Sequence, residues 1–158
     1  TDFVREGDGC MNHTKFLRVA LKEATLALEE GGPPIAALIV DPQGRIVATG
    51  KNRVASVNDP TAHAEVEVIR NAGPYLLEHA TRERLTLYTT AEPCLMCLGA
   101  IVKANIASVV WALSSSLGSA TDLLAESGHL SNHWQQLSLL GEPDAAIVQE
   151  MQALRASG

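Results

Sequence analysis

Two short stretches limit what this chain can fold into more than anything else in it. "AHAEVEVIRNAG" (Ala62 to Gly73) carries His63 and Glu65 two positions apart, and "TTAEPCLMCLGA" (Thr89 to Ala100) carries Cys94 and Cys97 three apart. A histidine, a nearby carboxylate and a cysteine pair point to one metal ion with an acid–base group beside it, so the fold must bring both stretches to one place. Cys94 and Cys97 lie i, i+3, which sets both sulfurs on one face of a helix. Pro93 suits the first turn of a helix, and at a helix N-terminus the dipole favours thiolates, the form that binds metal.

Zinc enzymes use three protein ligands and leave a fourth position open, whereas structural zinc sites fill all four. His63, Cys94 and Cys97 are three ligands with no fourth at motif spacing. A water on such an ion loses a proton far more readily than bulk water. Glu65 is then the candidate catalytic group: it can take that proton and deliver it to a ring nitrogen and a leaving amine. Other readings of the same residues stand beside this one. Cys-x-x-Cys also occurs as a redox pair, and a structural zinc or metal-free buried cysteines would need no Glu65. The redox reading leaves His63 without a role, and "PCLMC" lacks a thioredoxin-like surround.

The rest of the chain reads as alternating helices and strands. Leu17, Ala20, Leu21, Ala24 and Leu28 recur at helical spacing, with Asn12 as N-cap and Gly31-Gly32-Pro33-Pro34 as the stop. "IAALIV" (35–40) and "RIVATG" (45–50) flank a Pro/Gly turn and form a hairpin. Asp59-Pro60-Thr61 and Gly73-Pro74 bracket a second helix carrying His63 and Glu65. "RLTLYTT" (84–90) is a strand, and a third helix begins near Cys94. "IASVVWAL" (106–113) reads as a strand buried on both faces. "WQQLSLL" (134–140) is a last strand and residues 144–156 a last helix. This order predicts an α/β fold, a three-layer α/β/α sandwich around a mixed five-stranded sheet, in a single domain over residues 1–158. Residues 1–11 read as a flexible or foreign N-terminal stretch, with Met11 as a possible native start.

Composition narrows the function. The formal net charge is −6, and after Lys103 the only basic residue is Arg155, set against Asp122, Glu126, Glu142, Asp144 and Glu150. Phosphate backbones call for clustered Lys and Arg. No apolar run approaches the roughly 20 residues of a membrane span, and the first residues show no charged-then-apolar pattern with a small-residue cleavage site, so a secretory leader is not expected. With an odd count of three cysteines, a disulfide framework is disfavoured and a cytoplasmic location expected.

"HAE" followed about thirty residues later by "PCLMC" resembles the zinc-dependent cytidine/nucleobase deaminase superfamily, whose H-x-E…P-C-x-x-C signature is a known one. "GGPPIAALIVD…IVATGKN", "DPTAHAEVEVIRNAG" and "LTLYTTAEPCLMCLGAI" stand in the order that superfamily shows. The resemblance implies a cytidine-deaminase-like fold and a zinc-dependent hydrolase acting on the C–N bond of a cyclic amidine. Zn2+ would be held by His63, Cys94 and Cys97, with Glu65 as proton shuttle. Asn52, the backbone of Ala64 and the Glu92-Pro93 turn would contact substrate, and a homodimer is implied. "TAHAE", "EPCLMC" and Asn132-His133-Trp134 are similar to wobble-position tRNA adenosine deaminases, whereas "TTAEPCLMCLGA" is similar to guanine deaminases and "TLYTT" to fungal-type cytosine deaminases. The acidic last third and the absence of a basic tail favour a guanine- or cytosine-type free base or another small amino-heterocycle. A tRNA adenosine-to-inosine enzyme and a non-catalytic zinc module are the alternatives.

His13, His79, His129 and His133 lack motif partners and are expected to be surface or satisfied residues. Trp111 and Trp134 are expected in packing, Met96 as a gap-filler, and Cys10 outside the metal site. The wall that selects the ring is expected in Ser114 to Asp122 and in the C-terminal region, with Asp122 or Glu126 as candidates for the acidic residue that the resemblance to guanine deaminases implies after the fourth strand.

Overall fold

The computed structural model describes residues 11–115, 120, 122 and 137–158. Helix α1 (His13–Glu29) starts where the Asn12 side chain accepts a hydrogen bond from the Lys15 amide, and it buries a stripe of Phe16, Leu17, Ala20, Ala24 and Ala27. It ends where Gly31 takes φ +88° and the Gly32 amide returns to the Ala27 carbonyl. Strands β1 (Ala36–Val40) and β2 (Ile46–Lys51) form an antiparallel hairpin. Asp41 closes its turn, accepting from the amides of Gln43 and Arg45.

β1 also runs antiparallel to β3 (Thr86–Ala91), and β3, β4 (Ser108–Leu113) and β5 (Ser138–Gly141) are mutually parallel, giving a mixed five-stranded sheet in the order β2-β1-β3-β4-β5. The described residues also form helices α2 (Val54–Val57), α3 (Ala64–Asn71), α4 (Gly73–His79), α5 (Leu95–Lys103) and, near the C-terminus, α6 (Ala145–Ala156).

Strand alternation sends alternate side chains into two cores. Leu38, Val40, Tyr88, Val110 and Ala112 meet α1 and Ile147 of α6. Ala37, Ile39, Leu87, Val109 and Trp111 meet Val68 of α3, Leu76 of α4 and Ile101 of α5. The expected α/β/α sandwich is therefore the observed architecture. Because both faces are covered, β1 and β4 read as continuous apolar runs rather than as polar–apolar alternation. Among the described residues, no helix is long and apolar enough to cross a membrane.

Several expected boundaries differ. Asp59-Pro60-Thr61 does not open α3: Asp59 Oδ1 accepts from both the amide and the hydroxyl of Thr61, making a turn, and the helix starts at Ala64. α3 ends at Asn71, just ahead of Gly73-Pro74 as expected, but the same pair also opens α4, since proline in a first helical turn leaves no intrahelical bond unmade. The single turn of α2 was not expected from the sequence pattern. The last strand begins at Ser138, and Trp134 lies outside the described residues.

The site depends on one edge of this sheet. Ala37 pairs with Thr89, so the start of β1 and the end of β3 share an edge with the N-termini of α3 and α5. Gly50 of β2 lets α3 lie directly on the sheet: a Cβ there would come within 2.5 Å of the Val68 nitrogen and 3.0 Å of the Ala64 carbonyl.

Candidate active site

His63 is the N-cap of α3, in extended conformation (φ −68°, ψ 155°), and Cys94 is the N-cap of α5, also extended (φ −74°, ψ 171°). Neither side chain caps its own helix. Both reach instead towards each other, with Cys97 one turn into α5. His63 Nδ1 lies 3.7 Å from Cys94 Sγ and 3.5 Å from Cys97 Sγ. One ligand atom from each residue can be chosen so that all lie within 4.8 Å of one another. A tetrahedral zinc with bonds of about 2.3 Å to sulfur and about 2.0–2.1 Å to nitrogen holds N and S roughly 3.5 Å apart. The donor set and its spacing therefore fit zinc.

Glu65 enters the cluster from the protein side. It is buried in the first turn of α3 and 4% exposed. Its Oε1 accepts from the Thr89 hydroxyl at 2.9 Å, and the Cys97 thiol donates to Oε2 at 3.4 Å. Two residues at i and i+2 diverge on a regular helix. Here they converge because His63 stands outside the helix, with extended backbone, while Glu65 is within it. Burial, the Glu65 carboxylate and Cys94 together push the Cys97 thiol far above its usual range. A bound cation supplies the opposite potential and favours the thiolate.

Around this cluster Ala64 and Pro93 are buried, and Glu92 is half-buried with its amide on the Leu113 carbonyl at 2.9 Å. Asn52 leaves the end of β2 at the same sheet edge. Its side-chain oxygen accepts from the Val54 amide at 3.1 Å, a turn role, and its Nδ2 donors have no partner among the described residues. The loop from Asn52 to His63 is clasped to α3. Arg53 Nη1 lies 3.4 Å from Glu67 Oε2, Arg70 donates to Glu67 Oε1 at 2.6 Å, and Arg70 reaches Asp59 at 3.6 Å. The Arg53 amide also donates to the Ala62 carbonyl at 2.9 Å.

Two site-forming residues escape a reading of the sequence motifs: Thr89, which holds Glu65, and Glu67, which holds the loop. Thr89 had a signal. It alternates with Leu85 and Leu87, so it faces the α3–α5 layer, where a buried hydroxyl needs a polar partner.

The residues set aside as non-catalytic mostly lie where expected. His13 Nδ1 pairs with the Tyr88 hydroxyl at 2.8 Å, and burial lowers the His13 pKa. His79 stacks on Tyr75 and approaches Glu83 at 3.3 Å. Trp111 is buried, its Nε1 donating to Ser114 Oγ at 2.9 Å. Met96 fills no gap: it is 38% exposed, beside Leu95 at 53%, because both stand on the outer side of α5. Cys10, Glu126, His129, His133 and most of the stretch from Ser114 to Asp122 lie outside the described residues.

Residues 11–113 match the family described as the cytidine and deoxycytidylate deaminase zinc-binding region. The guanine deaminase of Bacillus subtilis (strain 168) is 46% identical over 107 residues, 65% of this chain and 65% of that protein. A tRNA-specific adenosine deaminase of Buchnera aphidicola subsp. Schizaphis graminum is 42% identical over 99 residues, 63% of this chain and 64% of that protein. The matched stretch thus spans just under two thirds of both relatives. A solved structure from work on A-to-I editing by tRNA:A34 deaminases is 34% identical and superposes with a TM-score of 0.67, covering 81% of this chain and 97% of that one. The structure of the Bacillus subtilis guanine deaminase superposes with a TM-score of 0.60 at 33% identity, covering 92% and 95%.

Proposed function

This chain belongs to the cytidine and deoxycytidylate deaminase zinc-binding family, and we propose that it is a zinc-dependent hydrolase that deaminates a free nucleobase of the guanine type, releasing ammonia. The observation that carries the hydrolytic reading is the spacing of His63, Cys94 and Cys97 with Glu65 hydrogen-bonded between Cys97 and Thr89. His63, Cys94 and Cys97 would hold the ion. Zinc bound there supplies a Lewis acid that makes water nucleophilic near neutral pH. With the ion bound, Glu65 would carry one proton of the water to the ring nitrogen, where it stays, and the second to the departing amine. A C–O bond forms at the ring carbon, the C–N bond breaks and ammonia leaves. Asn52, through Nδ2, the Ala64 backbone and the Glu92-Pro93 turn orient the ring.

A small substrate is favoured by the charges near the site. Lys51 is paired with Glu30, Arg53 with Glu67, and Arg70 with Glu67 and Asp59. Arg82, Arg84 and Lys103, which have no ion pair among the described residues, lie at the opposite ends of β3 and α5. Cations already neutralised by carboxylates release few counterions from a phosphate backbone. Likeness to the Bacillus subtilis guanine deaminase supports the purine. The whole chain would act as one deaminase domain, as a homodimer.

A second reading, wobble-position adenosine deamination in tRNA, is favoured by Arg155, which lines a cavity with Pro33, Pro34 and Ile35 at the site end of the sheet and has no ion pair among the described residues. The Buchnera and tRNA:A34 relatives support it as well. Ammonia release by the zinc-loaded protein, measured against guanine, cytosine, adenine, their nucleosides and an unmodified tRNA, separates the two. Turnover of guanine with tRNA unchanged is the expected result. Inosine formed only in tRNA would replace the first reading with the second.

A further inference from the structure

The Glu65 carboxylate has few protein partners for a buried charge. Among the described residues its hydrogen bonds come from the Thr89 hydroxyl on Oε1 and the Cys97 thiol on Oε2. A carboxylate offers about four acceptor sites. A cysteine that serves as a metal ligand is a thiolate and no longer donates. With Cys97 in that role, Thr89 is the one protein donor left on Glu65 among the described residues.

Thr89 is suited to hold rather than merely to fill. It is wholly buried, its backbone lies in the register of β3 between Ala37 of β1 and Trp111 of β4, and its Oγ1 stands between two acceptors. These are Glu65 Oε1 at 2.9 Å and the Ala91 carbonyl at 3.2 Å, two residues on in the same chain. The central strand of the sheet therefore fixes one carboxylate oxygen, and the other, Oε2, is left on the side of Cys97. Hydrogen bonds to a charged group in a buried setting are among the stronger single contacts.

We propose that Thr89 is a positioning residue: its hydroxyl clamps Glu65 Oε1 so that Oε2 faces the His63–Cys94–Cys97 cluster. This rests on the reading of Glu65 as the proton carrier. The role is one of orientation, so it acts on the chemical step and not on holding the ion or the ring. Valine keeps the shape and the strand preference of threonine but loses the donor.

Zinc-loaded Thr89→Val and Thr89→Ser variants test it, with zinc content, kcat and KM measured on the base that the wild type turns over. Thr89→Val should bind zinc as the wild type does while kcat falls roughly ten- to hundredfold, the range for one charge-assisted hydrogen bond, and KM changes far less. Thr89→Ser should recover most of kcat. Crystal structures of the zinc-loaded wild type and Thr89→Val give a readout without turnover: Glu65 in one conformer on Thr89 in the first, rotated or split in the second. A wild-type kcat in Thr89→Val, a Thr89→Ser variant as slow as it, or an unmoved Glu65 carboxylate would each overturn the clamp. If the wild type turned over no substrate, the deaminase reading would fall by itself, and the two crystal structures would still decide the clamp.

Discussion

The two helical layers on either side of the sheet begin their helices in opposite ways. In the α1/α6 layer, Asn12 and Asp144 cap: Asn12 accepts from Lys15, and Asp144 from Ala146 and Ile147. In the α3–α5 layer the N-caps of α3 and α5 are His63 and Cys94, and neither makes a side-chain cap bond. The buried positions differ too. α1 and α6 bury apolar side chains only, whereas α3 buries Glu65 and Glu67. One layer uses its helix starts to stabilise helices; the other turns them towards each other in a cluster that could hold a metal ion and leaves stability to packing. That packing is visible in Val68, Leu98 and Ile101 and in the close approach of α3 to Gly50.

The largest effect that tests this contrast is at Glu65. Glu65→Gln should keep the zinc and the fold but lose turnover by roughly 10²–10⁴-fold, measured as ammonia release against metal content. Cys97→Ala should lose both. An unaltered rate in Glu65→Gln would make the buried carboxylate structural and erase the distinction between the layers.

A smaller effect compares the caps directly by denaturant unfolding of the metal-free protein. Asn12→Ala should cost about 1 kcal/mol with metal affinity unchanged. Cys94→Ser gives α5 a capping hydroxyl, so it should leave stability equal or higher while abolishing tight zinc binding. A Cys94→Ser protein that is less stable than the wild type in the absence of metal would mean that Cys94 already serves its helix.

The smallest is a pH effect in the α1/α6 layer. The Thr14 hydroxyl, at 2.7 Å, and the Ile147 amide hold the Asp144 carboxyl below its ordinary value of 3.8. A carboxyl depressed in the folded state stabilises above its unfolded value, and that contribution is lost as pH falls through the folded one. The Tm gap between wild type and Asp144→Ala should therefore be full at pH 7 and narrow below about pH 4. A gap that does not change with pH would show that the charge of Asp144 contributes nothing to the cap.

Much of the fold was legible because it is local. The apolar stripe of α1 with its Asn12 cap, the hairpin around Asp41 to Gly44, and the start of α5 after Pro93 all follow from neighbours within a few residues. Where the structure differs, the local signal had two meanings. Asp59-Pro60-Thr61 fits both a helix start and a turn, and the Asp59–Thr61 hydrogen bonds make it a turn, while Gly73-Pro74 both follows the end of α3 and opens α4. At the candidate site, His63, Cys94, Cys97 and Glu65 could be picked out by type and spacing and the structure brings their side chains together, whereas Thr89 belongs to no such motif and only its burial beside Glu65 marks it.

By itself the sequence determined which residues can bind metal, which can carry a proton, and most of the helices and strands, α2 and α4 excepted, since residue chemistry and periodicity are properties of short stretches. Tertiary structure alone decided that residues 31 and 34 positions apart bring His63 within 3.7 Å and 3.5 Å of the two thiols, that Thr89 meets Glu65, and that Lys51 and Arg53 are already paired while Arg155 is left without an ion pair among the described residues. Those meetings are set by the register of β1, β3 and β4 and by how closely α3 and α5 lie on them, and no short stretch contains both sides of such a contact.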